Sequence, residues 1–152
     1  MALTDIINGI VGVINTVEGV GKVHAYRLYA ADEAARKGLF VADGVLNTWS
    51  VTREQTPAHD RGAGPVNVRR QHSILIEGFR AVTSAANSEQ LHQERAEAIV
   101  VELENNRKLP GGAGWLSGAI QVPQFGMAMF MMTVLSWYAK ITVIAEDVMQ
   151  GG

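Results

Sequence analysis

Four histidines, at positions 24, 59, 72 and 92, are the side chains best suited to proton transfer or metal binding near neutral pH. Their spacing favours neither. No HExxH or other paired-ligand spacing occurs, so no metal is expected. His59 and Asp60 stand in the order of a base and its orienting carboxylate, but no nucleophile accompanies them and no GxSxG elbow is present. Cysteine is absent, which excludes disulfides and thiolate chemistry. Gly19-Val20-Gly21-Lys22 lacks the glycine spacing, the hydroxyl residue after Lys and the preceding strand of a phosphate loop. Gly111-Gly112-Ala113-Gly114 follows a helical pattern rather than a strand, which argues against a dinucleotide site. Glu94, Glu97 and Glu104 lie on the polar side of a helix and read as a solvated face rather than as an acid–base pair, which would need burial. No catalytic set and no cofactor is therefore expected, and the chain reads as a non-enzyme.

The element that would position everything else is residues 87–109. Asn87 can cap it, Glu89 suits the positive end of the macrodipole, and Gln90 falls where a capping box wants it. Ala96, Ile99, Val100 and Leu103 recur at helical spacing and make one apolar stripe, with His92 on the same side. Arg107 and Lys108 fall in the last turn, and Pro110-Gly111 stops it. A one-striped helix needs a flat apolar partner. Residues 3–17 read as a first helix, with Leu3, Ile6, Ile7, Ile10, Ile14 and Val17 on one side, and residues 30–40 as a second. Residues 22–29 read as a short extended piece. Residues 46–54, 69–82, 119–131 and 133–148 read as strands, the last from its alternation through Trp137, Ala139, Ile141 and Val143. The expectation is a single α+β domain over 1–152: an antiparallel sheet of about four strands packed by a long central helix, with N-terminal helices.

Two stretches stand out for binding. Residues 55–68 form a long polar link with two prolines and two glycines, a length that means either disorder or use in binding. His59, Asp60, Arg61, Gly62 and Gly64 are its candidate partner-contacting residues, and Arg53, Arg69 and Arg70 at its ends could face phosphates. Residues 126–132 are apolar on both faces of a strand. One face can lie on the helix; the other, carrying Met127, Met129 and Met131, needs a neighbouring subunit to cover it.

Charged residues are 18% and the formal net charge is −2, which gives no general reason for nucleic-acid binding. Residues 3–17 are apolar but lack a basic start and are interrupted by Asp5 and Asn8, so no targeting signal is expected. Residues 125–145 are long enough to span a bilayer, yet their period of two argues for strand and no membrane association is expected.

Val20-Gly21-Lys22-Val23-His24 with Tyr26 and Arg27, the helical 30–40, and Trp49-Ser50-Val51-Thr52-Arg53 together resemble the amino-terminal half of tail-terminator (tail-completion) proteins of tailed phages, especially the Mu-like group. The strand around His72–Phe79, the long helix and Trp137–Val143 resemble the later half. The loop 55–68 and the turn 110–118 match nothing residue by residue. The resemblance implies a structural virion protein, assembled in the host cytoplasm, that forms a hexameric ring at the head-proximal end of the tail tube. Such a ring stops tube growth, touches the tail tube protein and the head–tail connector protein, and passes DNA through its lumen without reading sequence. A small α+β enzyme or ligand-binding protein using His59, Asp60 and Arg61 under the long loop is the competing expectation.

Overall fold

The fold is taken from a computed structural model, which describes residues 3–26, 39–42, 45–54, 60–61, 67–83, 87–110, 114–121, 123–131 and 134–150. Helix α1 (Leu3–Ile14) is followed by β1 (Lys22–His24), β2 (Val41–Ala42), β3 (Val45–Arg53), β4 (Asp60–Arg61) and β5 (Asn67–Ala81). Helix α2 (Ser88–Asn105), β6 (Trp115–Ser117), β7 (Gln124–Phe130) and β8 (Val134–Gln150) complete the order.

The eight described strands belong to one sheet, built in the order β1-β3-β5-β8-β6, with β2 on β3, β4 on β5 and β7 on β8. The pairings are antiparallel except β1 with β3, which is parallel, so the sheet is mixed. Its spine is β5 against β8, paired over their length from Asn67↔Gln150 to Ala81↔Ser136. The pleat then decides which side chains meet. His72, Ile74, Ile76 and Gly78 share a face with Ala145, Val143, Ile141 and Ala139, and β3 adds Val51 and Trp49. This face takes both helices: Ile6, Ile10, Val13 and Ile14 of α1 and Ala96, Ile99 and Leu103 of α2 close the main core over it.

Gly78 is required there because a Cβ would strike the six-membered ring of Trp49. Gly21, at φ 85°, turns the chain into β1 against the Asn47 backbone, a conformation that costs an L side chain strain. Thr48 Oγ1 donates to the Lys22 carbonyl at 2.9 Å, tying β1 to its parallel neighbour.

The opposite face is covered at one end. Phe40, Leu46 and Phe130 form a second buried cluster, joined by Phe79, Ala81, Met131 and Val134. Edge-on aromatic contacts run from His24 to Phe40 to Phe130 to Phe79, with ring centroids about 5 Å apart. Beyond it, carboxylates are tied down by neighbours: Tyr138 Oη donates to Glu77 at 2.7 Å, Ser73 Oγ to Glu54 at 2.8 Å, and Gln71 and Trp115 to Glu146 at 2.7 and 3.1 Å.

The expected α+β fold, a long central helix packing about four antiparallel strands, is overturned. The chain is mostly strand, in a curled mixed sheet with two helices on one face. Short strands account for much of the difference. β1, β2, β4 and β6 are two or three residues long, too short to carry a period, and each sits where turn residues dominate the sequence. Residues 55–68 are not a structureless link throughout: Asp60 and Arg61 pair with Arg70 and Arg69, and Asn67 and Val68 belong to β5. Residues 55–59 and 62–66 lie outside the described residues, as does most of the helix expected at 30–40, of which Leu39 and Phe40 are helical.

Helix α2 is shorter than residues 87–109 at its C-terminal end. Asn87 contributes its carbonyl to the Leu91 amide at 2.9 Å but makes no side-chain cap. Asn106 leaves the helix, its amide folding back to Leu103 at 3.2 Å. Arg107 then serves β6 instead of the helix end, donating through Nη1 to the carbonyls of Leu116 and Gly118 at 3.3 and 2.7 Å. The segment 125–145 forms the antiparallel pair β7–β8, and among the described residues no helix is long and apolar enough to cross a membrane.

Candidate functional site

The residues singled out in the sequence are separated by the fold. Met127 and Met129 stand on one face of β7 and are 53% and 52% exposed, which makes them the most open large apolar side chains of the sheet. Met131 is not with them. It lies past the end of the strand at φ 50° and packs, half-buried, on the Phe40 cluster. Asp60 and Arg61 form β4, whose register places Arg61 opposite Arg69 and Asp60 opposite Arg70. Arg53 sits opposite Ile74, four residues along β5 from Arg70, a separation of about 13 Å at strand rise. His59, Gly62 and Gly64 lie outside the described residues.

The apolar excess of β7 is real but oriented opposite to expectation. Ala128 and Phe130, on the face away from the helices, run into the aromatic cluster and need no further cover. Phe125, Met127 and Met129 share the helix-side face with Trp137 and Leu135, but α2 does not cover them: Phe125 and Met127 face its first turns across a cavity. Phe125 and Leu135 are 40% and 46% exposed, so the four form a continuous apolar ledge. Among the described strands β7 pairs with β8 alone.

Between the ledge and the first turns of α2 lies a cavity of about 200 Å³, lined by Glu89, His92, Gln93, Phe125, Met127 and Trp137 among others. The Trp137 indole donates to Ser88 Oγ at 3.0 Å and so fixes the wall between sheet and helix.

A second arrangement lies behind that wall, one that no motif announced. Trp49 on β3 and His92 on α2 stack at 5.3 Å and 22°, both fully buried. Arg80, at the end of β5, acts on His92 through its charge. Arg95, one turn along α2 from His92, lays its guanidinium over Gly19. Asn47 joins the two arginines: it is the register partner of Arg80, and its amide donates to the Gly19 carbonyl at 3.2 Å. Among the described residues, five buried nitrogens in this group have no hydrogen-bond partner: Trp49 Nε1, Arg80 Nε, Arg95 Nε and both ring nitrogens of His92. The Gly78 carbonyl is near enough to favour a charged His92 ring, yet it is not in hydrogen-bonding geometry. Burial outweighs it, with help from the Arg80 charge, and holds the His92 pKa down to about 4. Each buried donor left unmade costs about 1–3 kcal/mol, so a cluster of them calls for an explanation.

The place of His92 on the apolar side of its helix agrees with its burial, but a packed histidine would have one satisfied nitrogen, and neither ring nitrogen has a hydrogen-bond partner among the described residues. Trp49, Arg80 and Arg95 were not singled out as a site. The signal available was small: an arginine three residues after His92 inside an apolar stripe, and a glycine at a core position of β5 facing a tryptophan.

No protein-family model and no curated protein matches this chain.

Proposed function

We propose that the protein is a structural subunit of a phage tail, a tail terminator that closes into a ring at the head-proximal end of the tube, stops its growth and joins it to the head connector. The observation that carries the reading is the exposed ledge of Phe125, Met127, Met129 and Leu135 on β7 and β8. An exposed apolar ledge suits a neighbouring copy, and contact between two different patches of the same chain generates a ring. Likeness to the tail-terminator family in the segments around Val20–Tyr26, Trp49–Arg53 and Trp137–Val143 supplies the biological setting. The end of the molecule carrying β4, with Arg61, Arg69 and Arg70, is the proposed docking point for the tube or connector protein. DNA would traverse the lumen without sequence recognition.

Electron microscopy of the purified protein tests this directly. Rings are expected, and Met129→Asp, at an exposed position, should abolish them while leaving the subunit folded. Particles made without the protein should carry tails of irregular length and unjoined heads. Normal tails in its absence, or intact rings from the Met129→Asp protein, would overturn the respective parts of the reading. Deletion of residues 58–65 should weaken head joining with rings intact.

A further inference from the structure

We propose that Trp49, Arg80, His92 and Arg95 form an oxyanion-binding site, taking a phosphate or a carboxylate between β3, the end of β5 and α2. The proposal does not depend on ring formation, since all four residues belong to one subunit.

The nature of the unpaired atoms selects the ligand. The indole nitrogen and the two arginine Nε atoms can only donate, and a neutral imidazole adds one more N–H. A ligand that satisfies them must therefore accept several hydrogen bonds at once. Charge narrows the choice further. Among the described residues the ion pair is Arg107 with Glu104, on the far end of α2, and no carboxylate reaches Arg80 or Arg95. Two guanidinium groups with no counter-charge among the described residues, each half-buried with its Nε sealed from solvent, favour an anion over water, because water satisfies donors but not charge. Guanidinium forks also match the oxygen spacing of phosphate and carboxylate. His92 fits the same purpose: uncharged at neutral pH, it offers its N–H without adding a third buried charge.

The surroundings make the site rigid. Trp49 is wedged on Gly78 and stacked on His92, and Asn47 holds the Gly19 turn on which Arg95 rests. Glu89 stands at the neighbouring cavity and its charge opposes an anion there, so the ligand belongs on the Arg80–Arg95 side of His92 rather than in the cavity.

The oxyanion has two possible sources, a free phosphate or the carboxylate of a neighbouring copy, and titration separates them. The purified protein is titrated with inorganic phosphate and, in a second arm, with acetate, against sodium chloride of equal ionic strength. The Trp49 indole N–H and the Arg Nε–H resonances are followed, together with Tm. A free anion gives a saturable shift of the Trp49, Arg80 and Arg95 signals and a higher Tm that chloride does not reproduce. Arg95→Gln and Arg80→Gln should each weaken it roughly tenfold or more, the loss expected for one charge-assisted hydrogen bond. Arg95→Lys should keep part of the affinity. Arg107→Gln, which removes an arginine already paired, should change nothing. Signals that move with protein concentration alone, and are competed back by phosphate, assign the oxyanion to a neighbour's carboxylate. If the signals respond neither to an anion beyond chloride nor to protein concentration, or respond identically in the Arg→Gln variants, the site does not exist.

Discussion

His92 occupies the point where the stripe of α2 meets Trp49, and its protonation is coupled to folding there. Its folded pKa, about 4, lies below the ordinary histidine value of 6.5. Between those values the unfolded chain binds the proton and the folded chain does not, so stability rises with pH across the window and falls on acidification. Above pH 6.5 the residue is neutral in both states and contributes no pH dependence. The full effect is roughly 3 kcal/mol between pH 7 and pH 4. Urea midpoints at pH 7 and pH 4.5 should show most of that loss in the wild-type protein and a much smaller loss in His92→Phe, which keeps a ring against Trp49. An equal drop in both proteins would mean that other groups carry the acid sensitivity. Gly78 makes a companion prediction at the same contact. Gly78→Ala forces a Cβ into a fully buried Trp49 ring, and the overpacking should cost about 1–3 kcal/mol in the urea midpoint, with Trp49 fluorescence altered. Wild-type stability in that variant would mean the tryptophan has room to move.

At the scale of elements, long and strongly patterned segments were readable and short ones were not. α1, β3, β5, α2 and β8 were each placed to within a few residues, because the pleat or the helical period repeats often enough to be recognised. β1 was readable as extended, but its parallel pairing with β3 was not, since register and direction come from the turn at Gly19–Gly21 and from Asn47 and Thr48, not from any period. The end of α2 was misplaced for a local reason. Arg107 looked like a helix-end cation and instead spans to the carbonyls of β6 while pairing with Glu104 at 2.7 Å. Arg107→Ala should therefore loosen β6 more than α2. Amide exchange at residues 115–117 should speed several-fold, with a global cost of about 1 kcal/mol, while exchange in the middle of α2 stays unchanged. Faster exchange along α2 and not in β6 would return Arg107 to the role of a helix cap.

For the molecule as a whole, the decisive asymmetry is between the two faces of β7. The sequence showed a strand apolar on both sides, but not which side the protein covers for itself. Phe130 reaches an aromatic cluster that includes Phe40, ninety residues away in sequence, and no local pattern could reveal that contact. The outcome leaves the ledge of Met127 and Met129 open and the arginines of β4 and β5 at another part of the sheet. In the proposed ring, either of these two chemically distinct regions would hold subunits together, and the two respond oppositely to conditions. Association through the ledge is driven by apolar burial, which strengthens on warming from 5 to 30 °C and in sulfate, and which sodium chloride barely touches. Association through the arginine-bearing end would weaken as salt screens it, with a Debye length of about 10 Å at 0.1 M and about 3 Å at 1 M. Sedimentation velocity of the purified protein across temperature and salt should show the assembled fraction rising with warmth and sulfate and holding in 0.5 M sodium chloride. Met127→Lys combined with Met129→Lys should leave a monomer of unchanged Tm, because both side chains are already half in water. Assemblies that dissolve in sodium chloride and ignore the double substitution would move the contact from the ledge to the arginine-bearing end.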